Sequence, residues 1–343
     1  MNVLFYTGAD NGARWMEALR RSLPEANISL WPDVAAVIDY AIVWKPPAEL
    51  MTRLDGARAV FNLGAGIDAL IDLPWPAAVP VVRLVDAGMS EQMVEYVSYA
   101  VLRRYREFER YEEAQRKARW EPIPRMDKAR FNIGILGLGV LGMAVAKSLV
   151  GQGFAVTGWS RTRKELGGVQ GFSENELHAF LENWRVLVCL LPLTRETRGL
   201  LNRDSLSCLP EGAYVVNVAR GGLIMEKDLL ALIDDGHLSG AMLDVFHDEP
   251  LPAAHPFWHH RRITITPHVS ALTQIEASVA QIADNIRRLE VGLPISGVVD
   301  CGRGYYRLSE PCHCHVVCAS SKSVQGTACK TKKLPSPPMS RWD

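Results

Sequence analysis

Asn132–Gly142, NIGILGLGVLG, is the stretch whose reading decides the fold. Its first half is a short apolar run of the kind that makes a strand buried on both faces. Its second half, Gly137-Leu138-Gly139-Val140-Leu141-Gly142, satisfies G-x-G-x-x-G and opens a segment, Val140 to Val150, with no helix breaker beyond Gly142. The motif alone is weak, and a glycine-rich β-α turn can bind nothing. Placed between strand and helix it is informative. Gly137 permits a tight turn, Gly139 lets the backbone approach a pyrophosphate, and Gly142 lets the helix pack closely, while the helix N-terminus offers amides to the anion.

Working outward, the runs FAVTGW, RVLVCLLP, AYVVNVA, GAMLDVF and ITITP follow, each separated by a polar or helical segment such as Met225 to Ile233. This alternation predicts an α/β fold with a doubly wound parallel sheet of Rossmann type. NVLFYTG, YAIVWKP, ARAVFNLG and VPVVRLV repeat it more weakly in the first hundred residues, predicting a second, smaller α/β domain. Ser90 to Trp120 has no proline or glycine and many opposite charges at helical spacing, which predicts one long connecting helix. An amphipathic helix is expected over Thr273 to Leu289, with Ile275, Val279, Ile282, Ile286 and Leu289 on one face. After Tyr305 no period survives, and residues 306–343 are expected to be disordered.

Thirty-eight cationic residues balance 38 anionic ones, so no global field draws the chain of 343 residues to nucleic acid or an anionic membrane. The N-terminus lacks the pattern of a secretory leader and no apolar run approaches bilayer length, so a cytoplasmic protein is expected. Of seven cysteines, only Cys189 and Cys208 precede Cys301, which does not describe a disulfide framework. Cys312-His313-Cys314-His315 with Cys318 lacks paired C-x-x-C spacing, and no metal is expected.

The second strand of the glycine-turn unit ends at Trp159, where an NAD-selective site offers a carboxylate to the ribose. Here the chain reads Ser160-Arg161-Thr162-Arg163. A hydroxyl and two guanidinium groups suit a 2′-phosphate, so NADPH is the preferred cofactor and NAD remains possible. Solvated loop cations are the plain alternative. Ligands of an open parallel sheet sit beyond the carboxyl ends of its strands. Arg220 follows AYVVNVA, Asp244 and Glu249 follow GAMLDVF, and His268 follows ITITP. Each alone has an ordinary structural role, but together they fit hydride transfer to a 2-oxo acid. A histidine can give a proton to the carbonyl oxygen, a neighbouring carboxylate favours imidazolium, and an arginine can grip the substrate carboxylate. In the first domain, Asn62-Leu63-Gly64-Ala65-Gly66-Ile67-Asp68 is either an anion-binding nest or a tight β-α turn.

GLGVLG, LLPLTRETRGLLN, NVARGG, LDVFHDEPLP and ITPHVSA together resemble the D-isomer-specific 2-hydroxyacid dehydrogenases. VWKPP, LGAGIDAL, DAGMSEQMVEY and GWSRTRK are most similar to the bacterial NADPH-preferring glyoxylate/hydroxypyruvate reductases among them. The resemblance covers about residues 1–305 and leaves residues 306–343 outside the family pattern. It implies a flavodoxin-like substrate domain of residues 1–100 and 271–305 flanking a cofactor domain of residues 101–270, a cleft that closes, and a homodimer. It further implies that Arg220 binds the substrate carboxylate and carbonyl, that Glu249 pairs with His268, and that His268 is the acid/base. Val140 and Leu141 would meet the pyrophosphate, and Asp244 and the Val218 carbonyl the nicotinamide. Pro192 would line the cofactor site, and the Ala65 and Gly66 amides would hold substrate. A dehydrogenase of another 2-hydroxy acid and a dinucleotide-sensing binding protein are the alternatives.

Overall fold

A computed structural model describes residues 1–299 apart from 9, 34–36, 72, 75, 77 and 165. The tail and its Cys-His cluster lie outside the described residues. In chain order the first part carries β1 (Asn2–Thr7), α1 (Gly12–Ser22), β2 (Asn27–Leu30), β3 (Tyr40–Trp44), α2 (Ala48–Met51), β4 (Ala59–Asn62), α3 (Asp68–Ile71) and β5 (Val81–Val82). α4 (Met89–Tyr105) and α5 (Phe108–Arg116) lead to β6 (Ile133–Leu136), α6 (Val140–Gly151), β7 (Val156–Trp159), β8 (Val169–Phe172), α7 (Leu177–Leu181) and β9 (Val186–Cys189). Then come α8 (Arg203–Ser207), β10 (Ala213–Asn217), α9 (Glu226–Asp234), β11 (Leu238–Leu243), β12 (Ile263–Ile265) and α10 (Ile275–Glu290).

The strands form two parallel sheets, ordered β2-β1-β3-β4-β5 and β12-β11-β10-β9-β6-β7-β8. Both faces of each are covered, which is why the strands read as unbroken apolar runs. Alternate residues point to opposite faces. Val3 and Phe5 meet Trp15 and Leu19 of α1 and Val279, Ile282 and Ile286 of α10, while Leu4 belongs to a second cluster with Leu50 and Met51 of α2. In the larger sheet, Ile133 and Ile135 join Met93, Val97 and Val101 of α4 and Val145 and Leu149 of α6; Leu187 and Val215 join Phe180 of α7 and Leu229 of α9. Full burial of each such side chain contributes about 2 kcal/mol.

All ten strands expected from the apolar runs are present. β2 and β8 were not anticipated, because both are edge strands and carry little apolar signal: NISL is buried nowhere and VQGF only at Val169. The expected single helix from Ser90 to Trp120 is instead broken after Tyr105, where Glu107 adopts φ 57°. α5 buries no residue, so no apolar face holds it in line with α4. Folding back lets Arg103 pair with Glu112 at 2.5 Å and with Glu109 at 3.5 Å, so the opposite charges meet across the break. α10 carries the expected apolar face, with Val279, Ile282 and Ile286 buried and Ile275 and Leu289 packed beside them.

Candidate active site

In the larger sheet the chain runs β6-β7-β8 in one direction and β9-β10-β11-β12 in the other, so the order reverses between β6 and β9. That reversal opens a crevice at the carboxyl ends of the strands. The Gly137–Gly142 turn follows β6, and Pro192 lies just beyond β9. Gly137 turns the chain with φ 105°, and a Cβ on Gly142 would strike the Gly137 carbonyl. A Cβ on Gly139 would meet no atom within 4 Å, so this backbone edge faces open space. The first turn of α6 carries no acidic residue, and its N-terminal amides, those of Val140 and Leu141 among them, have no helical acceptor of their own. A dinucleotide pyrophosphate fits this cradle.

β7 delivers Ser160 to the same edge, where it is buried and its hydroxyl donates to the Thr162 carbonyl at 2.8 Å. Its remaining capacity is as an acceptor. Arg161 is exposed, and Arg163 pairs with Glu176 at 2.5 Å on the surface. The Glu176 carboxyl is held below the usual carboxylate range, first by the Ser173 hydroxyl and amide and then by Arg163. Lys164, the next residue, was not assigned to the site from sequence. Lys164 reaches back to donate to the Leu138 carbonyl at 2.6 Å, inside the glycine turn, and burial pushes its ammonium below the ordinary lysine range. A fifth polar residue in a row gives no signal of which side chain faces the turn.

β10 ends at Asn217, whose side chain fixes the next loop by accepting from the Ala219 amide and donating to the Arg220 carbonyl. Arg220 donates from Nη1 to the Ala219 carbonyl at 2.7 Å and from Nε to Asp68 Oδ1 at 3.0 Å. Asp68 lies on the other sheet's side, at the end of the Asn62–Asp68 turn. Arg220 is also seated so tightly over Gly66 that a Cβ there would collide with Nη2. The Asn62 side-chain amide ties down the carbonyls of Gly64 (3.1 Å) and Gly66 (2.7 Å). A trans peptide points N–H opposite to C=O, so the Ala65 amide faces away from Asn62. The structure thus brings Arg220 to the Ala65–Gly66 turn, with Asp68 as a partner that sequence reading did not assign.

Glu249 and His268 are joined directly, Oε2 to Nδ1 at 2.8 Å, and Glu249 Oε1 accepts from the Phe246 amide at 3.0 Å. Since Nδ1 is engaged, Nε2 is the ring atom open to another molecule. His268 is 43% exposed and held at φ 55°. Asp244 is fully buried, and its carboxylate accepts from Thr266 Oγ1, the Val269 amide and the Ser270 amide, while its carbonyl accepts from the His268 amide. It organises the histidine turn at least as much as it faces any ligand. Val218, between β10 and Arg220, is buried. Among the described residues no group of three or more His, Cys, Asp or Glu side chains could hold a metal ion.

The sequence pattern of the D-isomer specific 2-hydroxyacid dehydrogenase NAD binding domain matches residues 99–270. The chain is 45% identical over 313 residues, 89% of its length and 100% of the relative's, to glyoxylate/hydroxypyruvate reductase A of Serratia proteamaculans. Its fold matches that of a D-isomer specific 2-hydroxyacid dehydrogenase from Xanthobacter autotrophicus, solved with NADPH and MES, at a TM-score of 0.84 and 41% identity over 89% of this chain and 99% of that one. The NADPH-dependent glyoxylate/hydroxypyruvate reductase of Sinorhizobium meliloti, solved with NADP and sulfate, follows at 0.83 and 35% with the same coverage. The chain therefore belongs to the D-isomer specific 2-hydroxyacid dehydrogenase family.

Proposed function

We propose that this enzyme reduces glyoxylate to glycolate and hydroxypyruvate to D-glycerate with NADPH. The observation that carries the reading is the convergence of an arginine and a carboxylate-braced histidine at the carboxyl ends of parallel strands that also bear a dinucleotide turn. Relatives of 44–45% identity over the same span are reductases of these two oxo acids.

The Gly137–Gly142 turn with the Val140 and Leu141 amides holds the pyrophosphate, and Pro192, Val218 and Asp244 line the nicotinamide end. Arg161 and Arg163 receive the 2′-phosphate, and the Ser160 hydroxyl joins them by turning its proton from the Thr162 carbonyl to a phosphate oxygen. The Arg163–Glu176 pair lies on the surface, where solvent screens it, so a phosphate dianion can take the guanidinium from it. The bound cofactor supplies a hydride to the carbonyl carbon. Arg220 and the Ala65 and Gly66 amides grip the substrate carboxylate, and the guanidinium polarises the carbonyl. His268 Nε2 gives its proton to the carbonyl oxygen, while Glu249 on Nδ1 fixes the ring and balances the imidazolium.

Residues 1–100 and 271–305 form the substrate domain, and residues 101–270 the cofactor domain. The pairing of α10 with α1 supports that return of the chain. Two chains associate as a homodimer, supported by Trp120, which stands 98% exposed beyond α5. The protein works in the cytoplasm: no described helix is long and apolar enough to cross a membrane, and Cys189 and Cys208 are free thiols.

The test is consumption of NADPH and of NADH, followed at 340 nm, with glyoxylate, hydroxypyruvate and pyruvate in parallel. Turnover with the first two and a clear preference for NADPH is expected. Tight NADPH binding without consumption would favour a dinucleotide-sensing role instead.

A further inference from the structure

The turn that carries His268 is fastened from outside its own sheet. On its N-terminal side, Thr266 Oγ1 donates to Asp244 Oδ1 at 2.6 Å and lies 2.5 Å from the hydroxyl of Tyr96 on α4. A hydroxyl has one proton, so with Thr266 donating to Asp244 the Tyr96 phenol is the donor to Thr266. Burial pushes that phenol well above its ordinary range, so it stays a neutral donor throughout the working pH range. Asp244 completes the hold through the Val269 and Ser270 amides and, by its carbonyl, the His268 amide.

On the C-terminal side, Gln92, one turn of α4 earlier, brackets the backbone of Leu272. Its Oε1 accepts from the Leu272 amide at 3.1 Å, and its Nε2 donates to the Leu272 carbonyl at 2.9 Å and to Gly88. A matching bracket lies on the other crossing between the sheets, where Gln281 of α10 holds both backbone groups of Val85 at 2.8 and 2.7 Å. Only the Gln92 bracket touches the histidine turn. His268 sits at φ 55°, a backbone state that a non-glycine residue keeps only when its surroundings enforce it.

We propose that Tyr96 and Gln92 of α4 are positioning residues that clamp the His268 turn from both sides. Tyr96 acts through Thr266 and Asp244, and Gln92 through Leu272. The inference rests on the reading of His268 as the proton donor. The clamp mounts that donor on the helix that leaves the first sheet, so the orientation of the proton and the crossing between the sheets are set by the same element.

The experiment compares Tyr96→Phe, Gln92→Ala, Thr266→Val and the Tyr96→Phe/Thr266→Val double variant, with His268→Ala and Gln281→Ala alongside. Each is assayed in the full chain with glyoxylate, using NADPH and NADPH deuterated at the transferred position. Tyr96→Phe and Gln92→Ala should each lower kcat about 3–10-fold with KM for NADPH changed less than about 2-fold, and the isotope effect should rise as the chemical step slows. The double variant should be no worse than Thr266→Val alone, because both act on one chain of hydrogen bonds. Gln281→Ala supplies the size of a purely structural effect, lowering Tm with the isotope effect unchanged. Wild-type kcat and isotope effect in Tyr96→Phe and Gln92→Ala, with His268→Ala inactive, would overturn the clamp. Retained activity in His268→Ala would instead overturn the reading beneath it.

Discussion

A methyl group added at Gly139 and one added at Gly142 meet opposite surroundings. At Gly139 the new Cβ enters space that no protein atom occupies, and at Gly142 it is driven into the Gly137 carbonyl. Gly139→Ala should therefore keep the wild-type melting temperature and lose about tenfold in NADPH affinity, roughly 1.4 kcal/mol. Gly142→Ala should lose about 1–3 kcal/mol of stability, as overpacking does. Thermal unfolding and cofactor titration of the two variants separate the effects; equal melting temperatures would contradict the assignment of Gly142 to packing. Single residues also mark where the sequence stopped being readable. Arg220, Glu249 and His268 could be found because each follows a recognisable apolar strand. Asp68, Lys164, Tyr96 and Gln92 could not, because their partners lie between 26 and 180 residues away and no local period encodes which side chain faces which.

Helices and strands were legible wherever one pattern filled the whole element. Central strands such as VLVC and YVVN declared themselves by burial on both faces, whereas β2 and β8, half-exposed at the edges, did not. The helix break at Glu107 was hidden because charge spacing serves a straight helix and a folded-back pair equally well. α10 gives a test at this scale. Its last residue, Glu290, accepts from the Tyr40 hydroxyl at 2.7 Å and from Arg58 at 2.5 Å, tying the helix end to the first sheet. Those two partners, Tyr40 first, hold the Glu290 carboxyl below the usual carboxylate range. A depressed carboxylate contributes stability above its unfolded pKa and loses it as the pH falls through the folded one. The pair is half-exposed, so the contribution is below about 1 kcal/mol. Glu290→Gln should melt about 1–2 °C below wild type at pH 6–8, with the gap closing as the pH falls beneath the ordinary carboxylate range and the depressed wild-type carboxyl becomes neutral too. A gap that persisted undiminished into acid would assign the loss to packing rather than charge.

Across the whole molecule, two parallel sheets direct their strand ends to one place. The doubly wound parallel sheet was readable from the succession of runs, but the order β12-β11-β10-β9-β6-β7-β8, with its weakly apolar edge strand β8, was not. How the first sheet meets the second was not readable. That relation rests on Arg220 lying over Gly66 and bonded to Asp68, and on the glutamine brackets at the two crossings. In the proposed reaction this meeting point is where the second sheet supplies the proton donor and the arginine, and the first the turn beneath the substrate carboxylate. The most direct measurement is the steady-state kinetics of glyoxylate reduction by wild type, His268→Ala and Arg220→Ala side by side. The arrangement predicts a fall in kcat of about 10²–10⁴-fold in His268→Ala. It predicts a rise of about 10²-fold in KM for glyoxylate in Arg220→Ala, with KM for NADPH little changed in either. Wild-type kinetics in both variants would contradict it.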